Sequence, residues 1–126
     1  DVHDAALRAL VQGMIDLKLL TGSLDDAIQS GAYKTFYMHR TSHWLGLDVH
    51  DVGAYTVDGK PRPLAPGIVF TDEPGLYVPL REEKAPAHLR GIGVRIEDDV
   101  VVTDDGHENL TVSIPKRVED VEALFR

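Results

Sequence analysis

The chain of 126 residues contains no cysteine, and its acidic residues outnumber the basic ones. Without thiols there can be no disulfide, no thiolate zinc site and no cysteine nucleophile, which fits a reducing compartment and predicts a cytoplasmic protein. The formal charge is −8, with 21 acidic residues against 13 lysines and arginines. Because affinity for nucleic acid depends on basic side chains at phosphates, we expect no nucleic-acid partner.

Long hydrophobic runs are also missing. No run approaches the roughly 20 apolar residues that span a bilayer, and the N-terminus lacks the basic region and apolar core of a secretion signal. We therefore expect no membrane partner. The hydrophobic content of 43% and the charged content of 27% are ordinary for a globular protein. At this length, we expect about one domain, covering residues 1–126.

The first part of the chain has a helical pattern. Apolar residues recur at three- and four-residue spacing from about Asp4 to Leu20, which predicts an amphipathic helix that ends by Gly22. Ser23 precedes two acidic residues and predicts the N-cap of a second helix, which runs to about Ser30 before Gly31 stops it.

The middle of the chain is predicted to be β-rich, because short apolar runs alternate with glycine, proline and Asp-Gly pairs. Hairpin turns are expected at Asp58-Gly59 and Asp105-Gly106. The predicted strands are Ile68 to Thr71, Gly75 to Val78, Ile92 to Glu97 and Asp99 to Thr103. The predicted surface loop is Pro79 to Arg90, and the predicted closing helix is Val118 to Phe125. Together these elements predict an α+β fold.

Three of the six histidines lie close together, at His39, His43 and His50, among apolar and aromatic residues. A histidine drawn inward by such neighbours needs a polar partner, so the cluster suggests metal ligands or proton carriers. His43 and His50 are an odd number of residues apart, and a regular strand would send them to opposite faces. Gly46 must therefore mark a bend or bulge if both point inward.

Acidic residues follow two of the predicted strands. Side-chain alternation places Asp72 and Glu73 on opposite faces, so only one of them can serve a given site, and we choose Glu73. The same alternation puts Arg95 and Glu97 on one face. One imidazole with two or more carboxylates is a donor set that suits manganese, cobalt, iron or zinc in hydrolysis.

These residues also have ordinary interpretations. Glu73 and Glu97 fit solvated acids at strand ends, and Arg95 would then simply neutralise Glu97. His39 and His50 fit structural histidines. Residue chemistry by itself leaves two alternatives open: these residues form a metal site, or they are ordinary structural and solvated residues. The remaining histidines are predicted to be plain surface residues: His3, His88 and His107.

Four segments occur here in an order that is typical of one enzyme family: residues 39–53, 73–77, 91–99 and 108–111. They begin with His39-x-x-Ser42-His43-Trp44 and continue with Glu-Pro-Gly-Leu-Tyr, Gly-Ile-Gly-Val-Arg-Ile-Glu-Asp-Asp and Glu-Asn-Leu-Thr. Together they closely resemble the Xaa-Pro aminopeptidase (aminopeptidase P) family of pita-bread metallopeptidases. The resemblance implies the C-terminal half of the catalytic domain, with a curved, mostly antiparallel sheet and flanking helices.

The resemblance also implies an activity and its metal ligands. The activity is the release of the N-terminal residue from peptides with proline in the second position, with two Mn²⁺ ions as the usual metal. The implied ligands are His43, Glu73 and Glu97, and Glu73 also passes a proton to the leaving nitrogen.

Three further catalytic or bracing residues follow from the same resemblance. His39 and His50 resemble the two histidines that orient substrate without binding metal, and Arg95 resembles the arginine that braces the site beside Glu97.

The chain departs from the family pattern at Arg40, where the family has glycine, and we expect its bulk to narrow the substrate cleft. Asp72 replaces a usually apolar residue.

Two aspartate ligands of the family precede the segment that this chain resembles, so the sequence predicts a truncated fragment that is inactive alone. Loss of the other half of the domain predicts an exposed apolar sheet face and a homo-oligomer. Three alternatives stay open: a prolidase that accepts only Xaa-Pro dipeptides, a non-catalytic pita-bread binding module, and an unrelated α+β protein.

Overall fold

The computed structural model describes residues 1–126 and contains helices at both ends with short strands between them. The helices are α1 (Val2–Asp16), α2 (Leu24–Ser30) and α3 (Val118–Ala123). The strands are β1 (Thr56–Val57), β2 (Lys60–Pro61), β3 (Val69–Asp72), β4 (Gly75–Tyr77), β5 (Gly93–Arg95), β6 (Asp98–Val102) and β7 (His107–Asn109). All strand pairs are antiparallel. The α+β class is confirmed.

The chain divides into two compact units, each made of two segments. The first unit comprises residues 1–42 and 73–95, and the second comprises residues 43–72 and 96–126. The first unit holds α1, α2 and the β4–β5 pair. The second holds the β1–β2 hairpin, the three-stranded sheet β3–β6–β7 and α3. No helix in the structure is both long enough and apolar enough to cross a membrane.

The core of the first unit forms around the apolar stripe of α1. Leu7, Val11 and Met14 are buried and lie three or four residues apart, as one face of a helix requires. They pack in one cluster with six further buried residues: Leu19, Ala27, Phe36, Tyr37, Val78 and Ala85. The predicted amphipathic character of the first helix is therefore confirmed.

The predicted end of this helix is wrong. Helix α1 ends at Asp16 instead of continuing to about Leu20, and Lys18 then adopts a left-handed backbone with φ of 61°. The backbone amide of Leu19 donates to Met14 O at 2.8 Å, and the Leu19 side chain enters the core. Burial of Leu19 against the core therefore decides where the helix stops, and no local stop signal does.

The second helix follows its local signals. Ser23 is the N-cap of α2, and its hydroxyl oxygen accepts from the Asp26 amide at 3.2 Å. Gly31 caps the other end in a left-handed conformation with φ of 72°. Both predicted boundaries are confirmed.

The segment from Pro79 to Arg90 is more ordered than the predicted surface loop. It contains a 3-10 helix at Ala87–Leu89, and Ala85 is buried with 2% of its surface exposed. The Arg90 guanidinium donates to Ala85 O at 2.9 Å and to Glu83 O at 2.7 Å. These hydrogen bonds satisfy carbonyl groups that a loose loop would leave to solvent.

The sheet of the second unit is held by the pairing of β3 with β6. Phe70 lies opposite Val100, and both are buried. Both predicted hairpin turns are present: Asp58 and Gly59, each at positive φ, join β1 to β2, and the Asp105-Gly106 turn joins β6 to β7.

Three predicted strands lie within one residue of the observed ones at each end, but the strand from Ile92 to Glu97 is shorter than predicted. Regular pairing covers only Gly93–Arg95, opposite β4. Ile92, Val94 and Ile96 are all exposed.

Candidate metal centre

His43 is fixed by hydrogen bonds on its backbone and on its ring. Its amide donates to Thr71 Oγ1 at 3.1 Å, and its carbonyl accepts from the Thr71 amide at 3.0 Å. Nδ1 of the ring lies 2.9 Å from Trp44 O. Because a carbonyl only accepts, Nδ1 carries the proton, and the lone pair that can bind a cation is on Nε2.

A tight loop brings His50 back to His43. The amide of Asp51 donates to Trp44 O at 3.0 Å and closes the loop. A Cβ on Gly46 would lie 1.8 Å from Asp51 Oδ2, so the Asp51 carboxylate would have to move to admit a larger residue. The rings of His43 and His50 meet edge to face, with centroids 4.3 Å apart. The expected bend at Gly46 is present, although His50 itself is exposed.

Tyr55 supports the same loop and was not among the residues predicted for the site. Its ring stacks on Trp44 with centroids 5.1 Å apart, and its hydroxyl accepts from the Trp44 amide at 3.2 Å. A Cβ on Gly53 would lie 2.6 Å from the Trp44 ring. The stack and the glycine together hold Trp44, whose carbonyl fixes the His43 ring. Only the aromatic residue close after the histidine cluster could have suggested this role.

Glu73 lies directly after β3 and is largely shielded from solvent. Its amide donates to Thr41 O at 2.8 Å, and 12% of its side chain is exposed. Arg95 forms an ion pair with Glu73, with Nη1 3.6 Å from Oε2. If these residues had only structural roles, Arg95 was expected to neutralise Glu97. In the structure its ion pair is with Glu73.

The structure brings together three of the residues singled out from the sequence. One ligand atom from each of His43, Glu73 and Glu97 lies within 4.8 Å of the others, which is a group that could hold a metal ion. Glu97 is the exposed member of the three. His39, His50 and Arg95 are not part of this group.

His39 has a partner on each ring nitrogen. Nδ1 donates to Arg40 O at 2.7 Å, so Nε2 accepts from the Tyr77 hydroxyl at 3.0 Å. A Cβ added at Gly75 would lie 2.5 Å from the Tyr77 oxygen, and a Cβ added at Gly93 would lie 2.9 Å from the Tyr77 ring. The two glycines leave the space in which Tyr77 reaches His39. Tyr77 was not among the residues predicted for the site.

His3 is not the plain surface residue that was predicted. Its Nδ1 lies 2.7 Å from Thr41 Oγ1, and the same hydroxyl also bonds the Tyr37 hydroxyl. Thr41 is fully buried, and Tyr37 is 1% exposed. Buried hydroxyl groups need such partners, so His3 satisfies a polar group of the core.

A pair of aspartates lies next to the proposed carboxylate ligands. Burial raises the pKa of Asp72, and the charge of Asp98 raises it further. For Asp98, burial acts in the same direction, but its hydrogen bonds with Lys116, Thr111 and Asn109 and the charge of Lys116 outweigh it and lower the pKa. The Asp98 carboxylate lies 2.8 Å from Lys116 Nζ.

Comparison with known proteins places this geometry in context. The model of "Metallopeptidase family M24" matches residues 1–104. The Xaa-Pro aminopeptidase of Escherichia coli is 49% identical over 125 residues, which are 99% of this chain and 28% of that protein. The chain therefore spans little more than a quarter of the length of that relative.

Two solved structures resemble the chain closely. The aminopeptidase PepP of Pseudomonas aeruginosa superposes with a TM-score of 0.93 at 52% identity, over 97% of this chain and 28% of that one. Aminopeptidase P from E. coli with the inhibitor Pro-Leu gives a TM-score of 0.86 at 51% identity, over 94% of this chain and 26% of that one.

Proposed function

The chain belongs to metallopeptidase family M24, and from this premise we propose that it supplies metal ligands and substrate-orienting residues to a Xaa-Pro aminopeptidase. The reaction is hydrolysis of the bond between the first residue of a peptide and a proline in second position. Two similar curated proteins are named Xaa-Pro aminopeptidase, which supports this proposal over a prolidase.

The observation that carries the proposal is the approach of His43, Glu73 and Glu97 to within 4.8 Å. The donor set fits a divalent metal, since two carboxylates and one imidazole suit manganese or zinc. Nδ1 of His43 donates its proton to Trp44 O, which leaves Nε2 as the ligand nitrogen. When bound there, the metal supplies Lewis-acid activation of water and of the peptide carbonyl. We propose manganese as the native metal.

The chain's own residues have separate roles in this proposal. Glu73 is largely buried beside Arg95, and it accepts a proton and passes it to the leaving proline nitrogen. His50, exposed next to His43, hydrogen-bonds the peptide carbonyl. His39 orients the peptide, and Tyr77 holds its ring in place. Arg95 offsets the charge of Glu73. A cytoplasmic location and a homo-oligomeric state belong to the same proposal.

The test measures metal binding and hydrolysis separately. Titration of the 126-residue chain with Mn²⁺ should show binding that His43→Ala and Glu97→Gln weaken at least tenfold, whereas His107→Ala, an exposed histidine outside the group, leaves it unchanged. Equal binding by all four proteins would refute the proposed metal site.

Hydrolysis is measured in a chimera in which this chain replaces the matching segment of the E. coli relative. Manganese-dependent release of alanine from Ala-Pro-Leu supports an aminopeptidase, and cleavage of Gly-Pro with no cleavage of the tripeptide identifies a prolidase. A folded, metal-loaded chimera that cleaves neither peptide supports a non-catalytic module.

A further inference from the structure

The first unit contains a groove of about 630 Å³ beside His39. Its lining includes Lys34 and Arg40, together with His3, His39, Tyr33 and Tyr37. A volume of this order accommodates a small ligand such as a short peptide segment. The groove therefore has the size of a binding site, and its lining has an unusual charge for this acidic chain.

Lys34 and Arg40 are the permanent cations of this groove. Both are exposed, and neither forms an ion pair or a side-chain hydrogen bond within the chain. By contrast, Lys116 in the second unit is held by a carboxylate and two carbonyls. The chain carries a formal charge of −8, so two cations without an acidic partner on one concave surface create a local site for an anion.

The chemistry of the groove favours a carboxylate. A guanidinium presents paired donors that match the two oxygens of a carboxylate, and a nearby ammonium adds charge and further donors. Tyr33, which is partly exposed, supplies an aromatic surface on which an adjoining apolar side chain can pack. Arg40 directly follows His39 and is bonded to its ring through the backbone carbonyl. Because His39 and Arg40 both line the groove, a peptide that contacts His39 continues along a surface that includes Arg40.

We propose that this groove binds a carboxylate on the leaving side of the peptide, after the proline. The inference rests on the proposed function, because that function assigns the orientation of the peptide to His39. The amino end of a peptide is positive and is repelled by Lys34 and Arg40, whereas its carboxyl side carries the complementary charge. The carboxylate can be the terminal one or the side chain of a following aspartate or glutamate.

Binding of a product-like dipeptide tests the inference without any hydrolysis. Isothermal titration compares Pro-Leu with Pro-Leu-amide on the 126-residue chain at low salt. Pro-Leu should bind about tenfold more tightly, which is the effect of one charge-assisted contact. The preference should fall in Arg40→Gln, disappear in the double variant Lys34→Gln/Arg40→Gln, and be partly retained in Arg40→Lys.

The matched control is Arg81→Gln, which removes an exposed arginine that does not line the groove. It should leave the preference for Pro-Leu unchanged. High salt should reduce the preference in the wild-type chain, because exposed charges are screened. Equal binding of the acid and the amide, or an equal loss in Arg81→Gln and Arg40→Gln, would overturn the inference.

A second pair of probes distinguishes the two sources of the carboxylate. Pro-Glu-amide is compared with Pro-Gln-amide, so that only the side-chain charge differs. A preference for Pro-Glu-amide alone assigns the groove to an acidic side chain, a preference for Pro-Leu alone assigns it to a chain terminus, and a preference for both shows that either is accepted.

The hydrolysis assay separates this inference from the proposed function. If the chimera cleaves Ala-Pro-Leu and Arg40→Gln changes neither its KM nor the binding preference, the groove assignment fails and the peptidase assignment stands. If no Xaa-Pro peptide is cleaved but the carboxylate preference depends on Arg40, the proposed function fails and the groove stands as a carboxylate site.

Discussion

Several glycines of this chain are fixed by the side chain that lies against them. At Gly46, Gly53 and Gly75 an added Cβ would come within 2.6 Å of a neighbouring residue. None of the three has a left-handed backbone that would itself require glycine. The constraint is therefore space, and it acts through Asp51, the Trp44 ring and Tyr77.

Substitution of Gly75 by alanine tests this constraint. The new Cβ would lie 2.5 Å from the Tyr77 oxygen, so the ring must move and lose its hydrogen bond to His39. We expect a loss of about 1–3 kcal/mol in the free energy of unfolding, measured by urea denaturation. Gly106→Ala, which has nothing within 4 Å, should be close to neutral. Equal stability of the two variants would refute the explanation.

Thr41 offers a second test on a single side chain. Its fully buried hydroxyl is shared by His3 and Tyr37. Thr41→Val keeps the shape and removes this shared partner, so we expect a loss of about 1–3 kcal/mol in thermal or urea unfolding. The control is Thr56→Val on an exposed strand, which should change stability by less than about 0.5 kcal/mol. A neutral Thr41→Val would show that the network does not stabilise the fold.

The secondary-structure elements differ in what determines them. Helix α2 has a serine cap and a glycine stop, and its ends follow from these local signals. Helix α1 has no such stop, and its end depends on Leu19 entering the core. Strand β5 has only three paired residues, which lie opposite Gly75–Tyr77 of β4. Local signals predict an element well only where they also fix its ends.

Lys116 helps to tie the segment after β7 to the sheet, alongside the Thr111 hydroxyl, which accepts from the Asp99 amide and donates to Asp98. Lys116 Nζ donates to Asp98 at 2.8 Å, to Thr111 O at 2.6 Å and to Ile114 O at 3.2 Å. Lys116→Met removes all three contacts, and we expect a loss of about 1–2 kcal/mol in unfolding free energy.

The neighbouring residue provides the matched control for this change. Arg117 pairs with Glu119 at 3.6 Å, and both side chains are more than two-thirds exposed. Arg117→Met should therefore have almost no effect, because exposed ion pairs contribute little. Hydrogen exchange of the Asp99 and Leu110 amides should increase in the Lys116 variant and not in the Arg117 variant.

Viewed as a whole, the molecule exposes many large apolar side chains. In the loop that carries His50, Leu47 is fully exposed, Val52 is 87% exposed and Val49 is 69% exposed. Clustered apolar surface favours association. We expect concentration-dependent self-association of the 126-residue chain in sedimentation velocity, and we expect Leu47→Ser/Val49→Ser/Val52→Ser to weaken it. A single monomeric species at all concentrations would contradict this prediction.

Much of the candidate site could be predicted from residue types and order. Alternation showed that only one of Asp72 and Glu73 could serve a given site, we chose Glu73, and it is Glu73 that lies near His43 and Glu97. The same rule could not give Glu73 as the partner of Arg95, because Glu73 follows β3 and Arg95 lies in β5, and a contact between separate segments is not written in either of them. Tyr77 and Tyr55 were missed because each acts on a residue of another segment, Tyr77 on His39 and Tyr55 on Trp44.

The sequence by itself determined the α+β class, the ends of α2 and the hairpin turns, and its resemblance to the family named the metal-ligand candidates. The first three depend on a residue and its near neighbours, through caps, backbone angles and alternation. Only the tertiary structure decided that α1 stops at Asp16, that His3 supports Thr41 and that Tyr77 holds His39. These features depend on burial and on contacts between distant residues, and such contacts stabilise the chain only once it has folded.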